Sequence, residues 1–211
     1  MSALLAVSHR LERIVSAIGQ AAAWLTVPLM LVIIYDVITR NVLTWLVRNQ
    51  IIGDGLADAL TLVSSTKLQE TEWHLHGILL LMTFGMAYLK DAHVRIELVR
   101  DHLRPRLKVW IELIGILLAL IPYCGLVIYF GYDFTLRSYE NHEVSAALTG
   151  LPYRFIIKSF IMFGFVVILM AGVATLLRCI VALFGGGPAR AEAMALLDPE
   201  HEEAPQGAAN Q

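Results

Sequence analysis

Four apolar runs, about Ile18–Ile38, Trp73–Leu89, Val109–Phe130 and Phe155–Leu183, decide what this chain can fold into. Crossing the hydrocarbon of a bilayer takes about 20 mainly apolar residues in a helix. Inside lipid, an isolated segment can pair its own backbone N–H and C=O groups only as a helix. Composition agrees with that reading. Of the 211 residues, 57% are hydrophobic and only 16% charged, where a soluble domain averages about 25% charged. The expectation is an all-α integral membrane protein with four transmembrane helices. Trp73–Leu89 is short for a span unless the turns from Glu70 to His76 enter the headgroup zone. Pro28 and Pro122 predict single kinks in the first and third spans.

Lysine and arginine orient the spans. The loop after the second span carries Lys90, Arg95, Arg100, Arg104, Arg106 and Lys108 in one short block. That density places the loop, and with it both termini, in the cytoplasm. Met1–Gln20 lacks the continuous apolar core of a cleavable leader. Residues 1–17 instead read as an amphipathic helix, with Leu4, Val7, Leu11, Ile14, Val15 and Ile18 on one face. Ser8, Arg10, Glu12, Arg13 and Ser16 fall largely opposite. A second amphipathic pattern, about 50–66, repeats this through Ile52, Leu56, Ala59, Leu60 and Val63. Each fits a helix in the interface plane, one packed on a partner, or equally a solvent-facing helix docked on the protein's own loops. Residues 18–184 form the membrane domain. Beyond it, residues 185–211 combine glycine, proline, alanine and acidic groups, which predicts a disordered acidic cytoplasmic tail.

The junction Glu70-Thr71-Glu72-Trp73-His74-Leu75-His76 puts ionisable groups at the mouth of the second span, where burial is costly without partners. His74 and His76 point roughly 200° apart on a helix and cannot share a metal axially. A di-iron site would want Glu-x-x-His on two helices, and no second helix offers a matching set. Cys124 and Cys179 are isolated in apolar runs, so no metal site, disulfide framework or other cofactor is expected. The spacing instead allows Glu70 to pair with His74, Glu72 with His76 and Asp36 with Arg40, each four residues apart. Two readings stay open for this patch: self-pairing at the bilayer edge, or docking of another membrane subunit. Trp24, Trp45, Trp73 and Trp110 lie near span ends, as interfacial anchors do. Gly115 with Ala119, Gly77 with Gly85 and Gly164 with Gly172 provide small residues for close helix approach.

No Walker loop, nucleophile elbow, zinc spacing or dinucleotide fingerprint occurs, so the chain is not expected to be an enzyme. A four-helix electron-transfer or quinone-site subunit, and a free-standing channel or exporter, are the competing classes. The first would carry a chromophore; the second would move solute alone.

Several motifs resemble one family when taken in order. They are Lys67-Leu68-Gln69-Glu70-Thr71-Glu72-Trp73-His74-Leu75, Lys90-Asp91-Ala92-His93-Val94-Arg95-Ile96, Leu103-Arg104-Pro105-Arg106, Trp110-Ile111-Glu112-Leu113, and Gly150-Leu151-Pro152-Tyr153-Arg154 with Lys158. Together they are similar to the small membrane subunit of tripartite ATP-independent periplasmic (TRAP) transporters, over about Leu11–Leu183. The resemblance implies a bacterial inner-membrane scaffold without a catalytic site. Its implied partners are a large multi-span subunit carrying the sodium-coupled pathway, a periplasmic substrate-binding protein and the lipid bilayer, with no nucleic acid. The implied cargo is a carboxylate-type metabolite. Glu70, Glu72, His74, Asp91, His93 and Arg95 become candidates for contacts with the large subunit, and Arg40, Trp73 and Lys158 for contact or anchoring at the bilayer edge. The loop Asn41–Thr66, longer than in the shortest members, is expected to extend the scaffold or touch the binding protein.

Overall fold

The structure is a computed structural model, and it describes residues 1–53, 55, 65–90, 103–147 and 150–197. Eight α-helices occur among these residues: α1 (Ser2–Ala23), α2 (Thr26–Val37), α3 (Thr44–Arg48), α4 (Ser65–Leu89), α5 (Pro105–Gly115), α6 (Ile121–Glu140), α7 (Arg154–Phe184) and α8 (Gly187–Leu197). Two π-helical stretches, Ile38–Leu43 and Ile116–Leu120, join α2 to α3 and α5 to α6. No strand occurs among the described residues.

The prolines explain where the helices deform. At Trp24–Leu25 the chain makes a turn, and the Val27 N–H bonds the Trp24 carbonyl at 3.2 Å. Pro28, two residues into α2, has no N–H to give that carbonyl. Ahead of Pro122 the helix widens over Ile116–Leu120, which absorbs the lost i→i−4 bond and makes room for the ring. In the other π-helical stretch, hydroxyls take up carbonyls. Thr39 Oγ1 donates to Tyr35 O at 2.9 Å, and Thr44 Oγ1 donates to Arg40 O at 2.7 Å.

Three continuous helical stretches are long and apolar enough to cross a membrane: Ser2–Arg48, Pro105–Glu140 and Arg154–Phe184. No more than 33% of the most apolar window of each is buried within the chain. An apolar helix left this bare suits hydrocarbon or another membrane protein. The helix α4 is not among the three, because Glu72, His74 and His76 lie within its last 18 residues and lower their apolar character. Its apolar part, Trp73–Leu89, reaches about 26 Å at the helical rise.

By internal contacts the chain divides into two units. The first comprises Met1–Ala17, Phe84–Leu126 and Val166–Gln211. Its core gathers Leu5, Val109, Leu113, Cys179, Val181, Ala182 and Ala193. Close packing here requires Gly85: a Cβ would stand 2.7 Å from Val167 Cγ1 and 2.9 Å from the Val167 carbonyl oxygen. The second unit comprises Ile18–Thr83 and Val127–Phe165. There Gly164 packs on Leu81, whose Cβ lies 2.8 Å from where a side chain would begin. Ala22, Leu29, Asp36 and Leu43 are buried at seven-residue intervals, while Val27, Met30, Leu31, Ile34 and Trp45 are exposed.

Two expectations need correction. Helix α1 continues past residue 17 without a break and buries a mixed face, in which Ser8 lies with Leu5 and Val15 while Arg10 and Arg13 stay exposed. Ser8 is fully buried whereas Val7 and Ile14 are about half exposed. The cause is Arg178, a buried guanidinium on α7 that takes its partners from α1. The expected disordered tail is also wrong over Gly187–Leu197, which is α8. Ala193 is fully buried there, and Ala189, Met194 and Leu197 pack on the first unit's core. Residues 198–211 lie outside the described residues, as do Asp54, most of the expected 50–66 helix (56–64), and Asp91, His93 and Arg95.

Candidate functional site

In the second unit, the first turns of α4 meet the segment that joins α6 to α7, and Glu70 makes the junction. One carboxylate oxygen accepts the Ser145 hydroxyl, and the other accepts the Leu151 N–H at 2.5 Å. The loop also closes on itself, through Ser145 N–H to Leu151 O at 3.3 Å and Gly150 N–H to Ala147 O at 3.1 Å. Gly150 has no room for a Cβ, which would collide with Ser145 and stand 2.7 Å from Glu70 Oε1. His142 and Tyr153 adopt left-handed conformations at φ 48° and 63°. Such backbone is costly for residues with side chains and persists only where surrounding contacts hold it.

Glu143 forms a second tie. Its carboxylate accepts the Lys158 ammonium and faces Arg154 at 4.0 Å. Lys158 also stands 3.8 Å from the Phe134 ring centroid, a cation–π contact. Tyr139 and Phe155 meet edge to face at 5.2 Å. Electrostatics follow from these contacts. The Leu151 N–H, then the Ser145 hydroxyl, hold the Glu70 carboxyl below its ordinary range. The hydrogen bond from Lys158 does the same for Glu143. Both carboxylates are therefore fixed as anions whose demands are met inside the chain.

The expected residues divide accordingly. Glu70 and Lys158 each belong to this clamp; Glu70 takes its hydrogen bonds from the loop, and its electrostatic interaction with His74 is a smaller influence beside them. Glu72 and His76 do not pair: His76 is exposed, and Glu72 Oε1 is buried without a hydrogen-bond partner. His74 is half-buried, and Trp73 is 79% exposed. Arg40 does pair as its spacing indicates, with Nη2 2.8 Å from Asp36 Oδ2. Asp36 is fully buried, and the Arg40 guanidinium that neutralises it lies half exposed.

Sequence reasoning missed the polar network of the first unit. Arg178, 4% exposed, donates from Nε to Ser8 Oγ at 2.9 Å and from Nη2 to Glu12 Oε2 at 2.5 Å. Ser8 Oγ in turn donates to Ala174 O at 3.0 Å. The available signal was a guanidinium within an apolar run, which demands a partner from another segment.

A family model now places these observations. It describes the DctQ component of tripartite ATP-independent periplasmic transporters and matches residues 29–182, well over half of the chain. The chain belongs to this family. The DctQ component is part of a transporter and not an enzyme, and the helical stretches make this chain a membrane protein. Comparison with curated proteins and with solved structures gives no match. The match begins at Leu29 and ends at Ala182, so the whole of α1 and the whole of α8 fall outside it. Both the Glu70–Ser145–Leu151 tie and the Glu143–Lys158 tie fall within it.

Proposed function

We propose that this DctQ chain is the fixed scaffold of a sodium-coupled, binding-protein-dependent importer of a carboxylate-bearing metabolite. It holds a large multi-span transport subunit in the inner membrane, and a periplasmic binding protein delivers the cargo. The observation that carries this reading is the family match over residues 29–182. Geometry supports the scaffold role: Glu70, Glu143, Asp36 and Arg178 all have partners within the chain. Broad apolar faces are meanwhile left for lipid and for the larger subunit. A span that must stand still while its partner moves benefits from polar groups tied locally and from a braced loop.

In this reading Trp73–Leu89 is a fourth span, with Trp73 as its interfacial anchor. An even number of spans keeps both termini on one side, and the basic block Lys90–Lys108 assigns that side to the cytoplasm. The clamp around Glu70 then faces the periplasm. Loop Asn41–Thr66 extends the scaffold on the same side. Contacts with the large subunit involve Glu72, Trp73 and His74 at the mouth of α4, and Asp91, His93 and Arg95 after it. Arg40 and Lys158 anchor the edges.

Co-purification tests the interface. Glu72→Gln and Arg95→Gln, made separately in the full transporter, are expected to lower recovery of the large subunit in detergent. Undiminished recovery with both variants would remove these residues from the interface while leaving the family assignment untouched.

A further inference from the structure

Helix α5 begins with two unanswered charges at the head of an exposed apolar stripe. Arg104 stands immediately before the helix and Arg106 lies in its first turn, and both are exposed. That turn holds no acidic residue, and neither guanidinium forms an ion pair among the described residues. Glu112, the one carboxylate within α5, accepts the Tyr88 hydroxyl at 3.0 Å. The far end of the same helical stretch is different, because there Arg137 binds Asp133 at 2.8 Å. Arg40, Arg154, Lys158 and Arg178 likewise face carboxylates of this chain.

The stripe starts where the charges end. Leu107, Trp110, Ile111 and Ile114 recur at helical spacing, and each is roughly half exposed. Val109 and Leu113 on the other side of α5 are buried in the core of the first unit. Phe184, at the end of α7, meets Trp110 edge to face at 6.1 Å and is itself exposed. Trp110 is four residues past Arg106, about 6 Å along the axis.

We propose that this face of α5 binds an anionic phospholipid. Its headgroup phosphate rests on Arg104 and Arg106, and an acyl chain runs along Leu107, Ile111 and Ile114. Guanidinium groups hold phosphate through paired N–H donors and are readily desolvated for the purpose. A purely apolar partner leaves both arginines without a counter-charge, and a soluble anion leaves the stripe bare. One molecule with a negative head and an apolar tail answers both. Trp110, whose ring is apolar and whose N–H is polar, suits the boundary between them. The inference goes beyond the scaffold reading and uses none of the residues assigned above to the large subunit. In the orientation proposed there, the site lies in the cytoplasmic leaflet.

The test reads which lipid touches Trp110. The full chain, with Trp24, Trp45 and Trp73 replaced by Phe, is reconstituted in mixtures of phosphatidylcholine and phosphatidylglycerol. One lipid at a time carries brominated acyl chains, which quench indole on contact. Phosphatidylglycerol should be preferred by about five-fold for each arginine engaged. Arg104→Gln and Arg106→Gln should each lower the preference by about that factor, and the double variant should bring it near one. Raising salt to about 1 M should weaken the preference with both arginines in place. Should the triple Phe variant fail to fold, the difference between the unsubstituted chain and Trp110→Phe gives the same quantity. Equal quenching by the two lipids, or a preference that survives the double variant, overturns the proposal. So does displacement by inorganic phosphate beyond that by chloride of equal ionic strength, which would mark a soluble-anion site. Loss of quenching by both lipids once the large subunit is present would give the face to that subunit and also overturn it.

Discussion

Removing Glu12 should damage the fold more than removing the arginine it binds. Arg178 is 4% exposed and donates its hydrogen bonds to Ser8 and Glu12. Glu12→Ala strands that guanidinium against a single hydroxyl. Stranding one member of a buried ion pair costs about 3–5 kcal/mol. Glu12 is 34% exposed, so water can reach part of the vacated site, and the expectation falls to about 2–3 kcal/mol. Arg178→Met behaves otherwise. It removes a buried charge and fills similar volume with an apolar chain, Ser8 keeps its bond to Ala174 O, and Glu12 is left near water. That change should cost no more than about 1 kcal/mol. The double variant should lie close to Arg178→Met, giving an interaction energy of about 2 kcal/mol. The assay is equilibrium unfolding in mixed detergent micelles, followed by circular dichroism. Equal costs for the two single variants, or strict additivity in the double, would refute the reasoning.

Packing and pH provide further outcomes. Gly85→Ala would set a Cβ 2.7 Å from Val167 Cγ1 and 2.9 Å from a backbone oxygen. It should destabilise the first unit by about 1–3 kcal/mol, whereas Gly115→Ala, with open space around it, should be nearly neutral in the same unfolding assay. Both Glu70 and Glu143 have carboxyl groups held below the ordinary value of 4.5 in the folded chain. Their contribution is therefore present above pH 4.5 and is lost as pH falls through the lowered folded values. Proteolytic nicking of segment 141–153 should rise with acid in that window. With Glu70→Gln and Glu143→Gln combined, nicking should already be raised at neutral pH and respond less to acid. An unchanged acid response in the double variant would remove these carboxylates as the cause.

Much of the fold was legible because spans and kinks are local properties. Apolar run length gave the three long helices, and Pro28 and Pro122 marked where they deform. The spacing of Asp36 and Arg40 foretold their ion pair for the same reason. What escaped depended on distant residues. Glu70 binds Ser145 and Leu151, 75 and 81 residues along the chain, so helix spacing pointed to His74 instead. Periodicity put Val15 on the apolar face of α1, and the structure buries it, but periodicity could not show that Ser8 is buried beside it. Ser8 is held there by Arg178, 170 residues along the chain. Composition misjudged Gly187–Leu197 because small alanines count weakly as apolar, yet they let α8 lie close against the core.

Uptake by proteoliposomes tests the scaffold account most directly. Vesicles holding this chain alone, the large subunit alone, or both are supplied with the binding protein, a sodium gradient and a panel of radiolabelled carboxylate metabolites. Sodium-dependent uptake of at least one of them should appear only when both membrane subunits are present, and the chain alone should pass nothing. Solute flux through vesicles containing this chain alone would contradict the account.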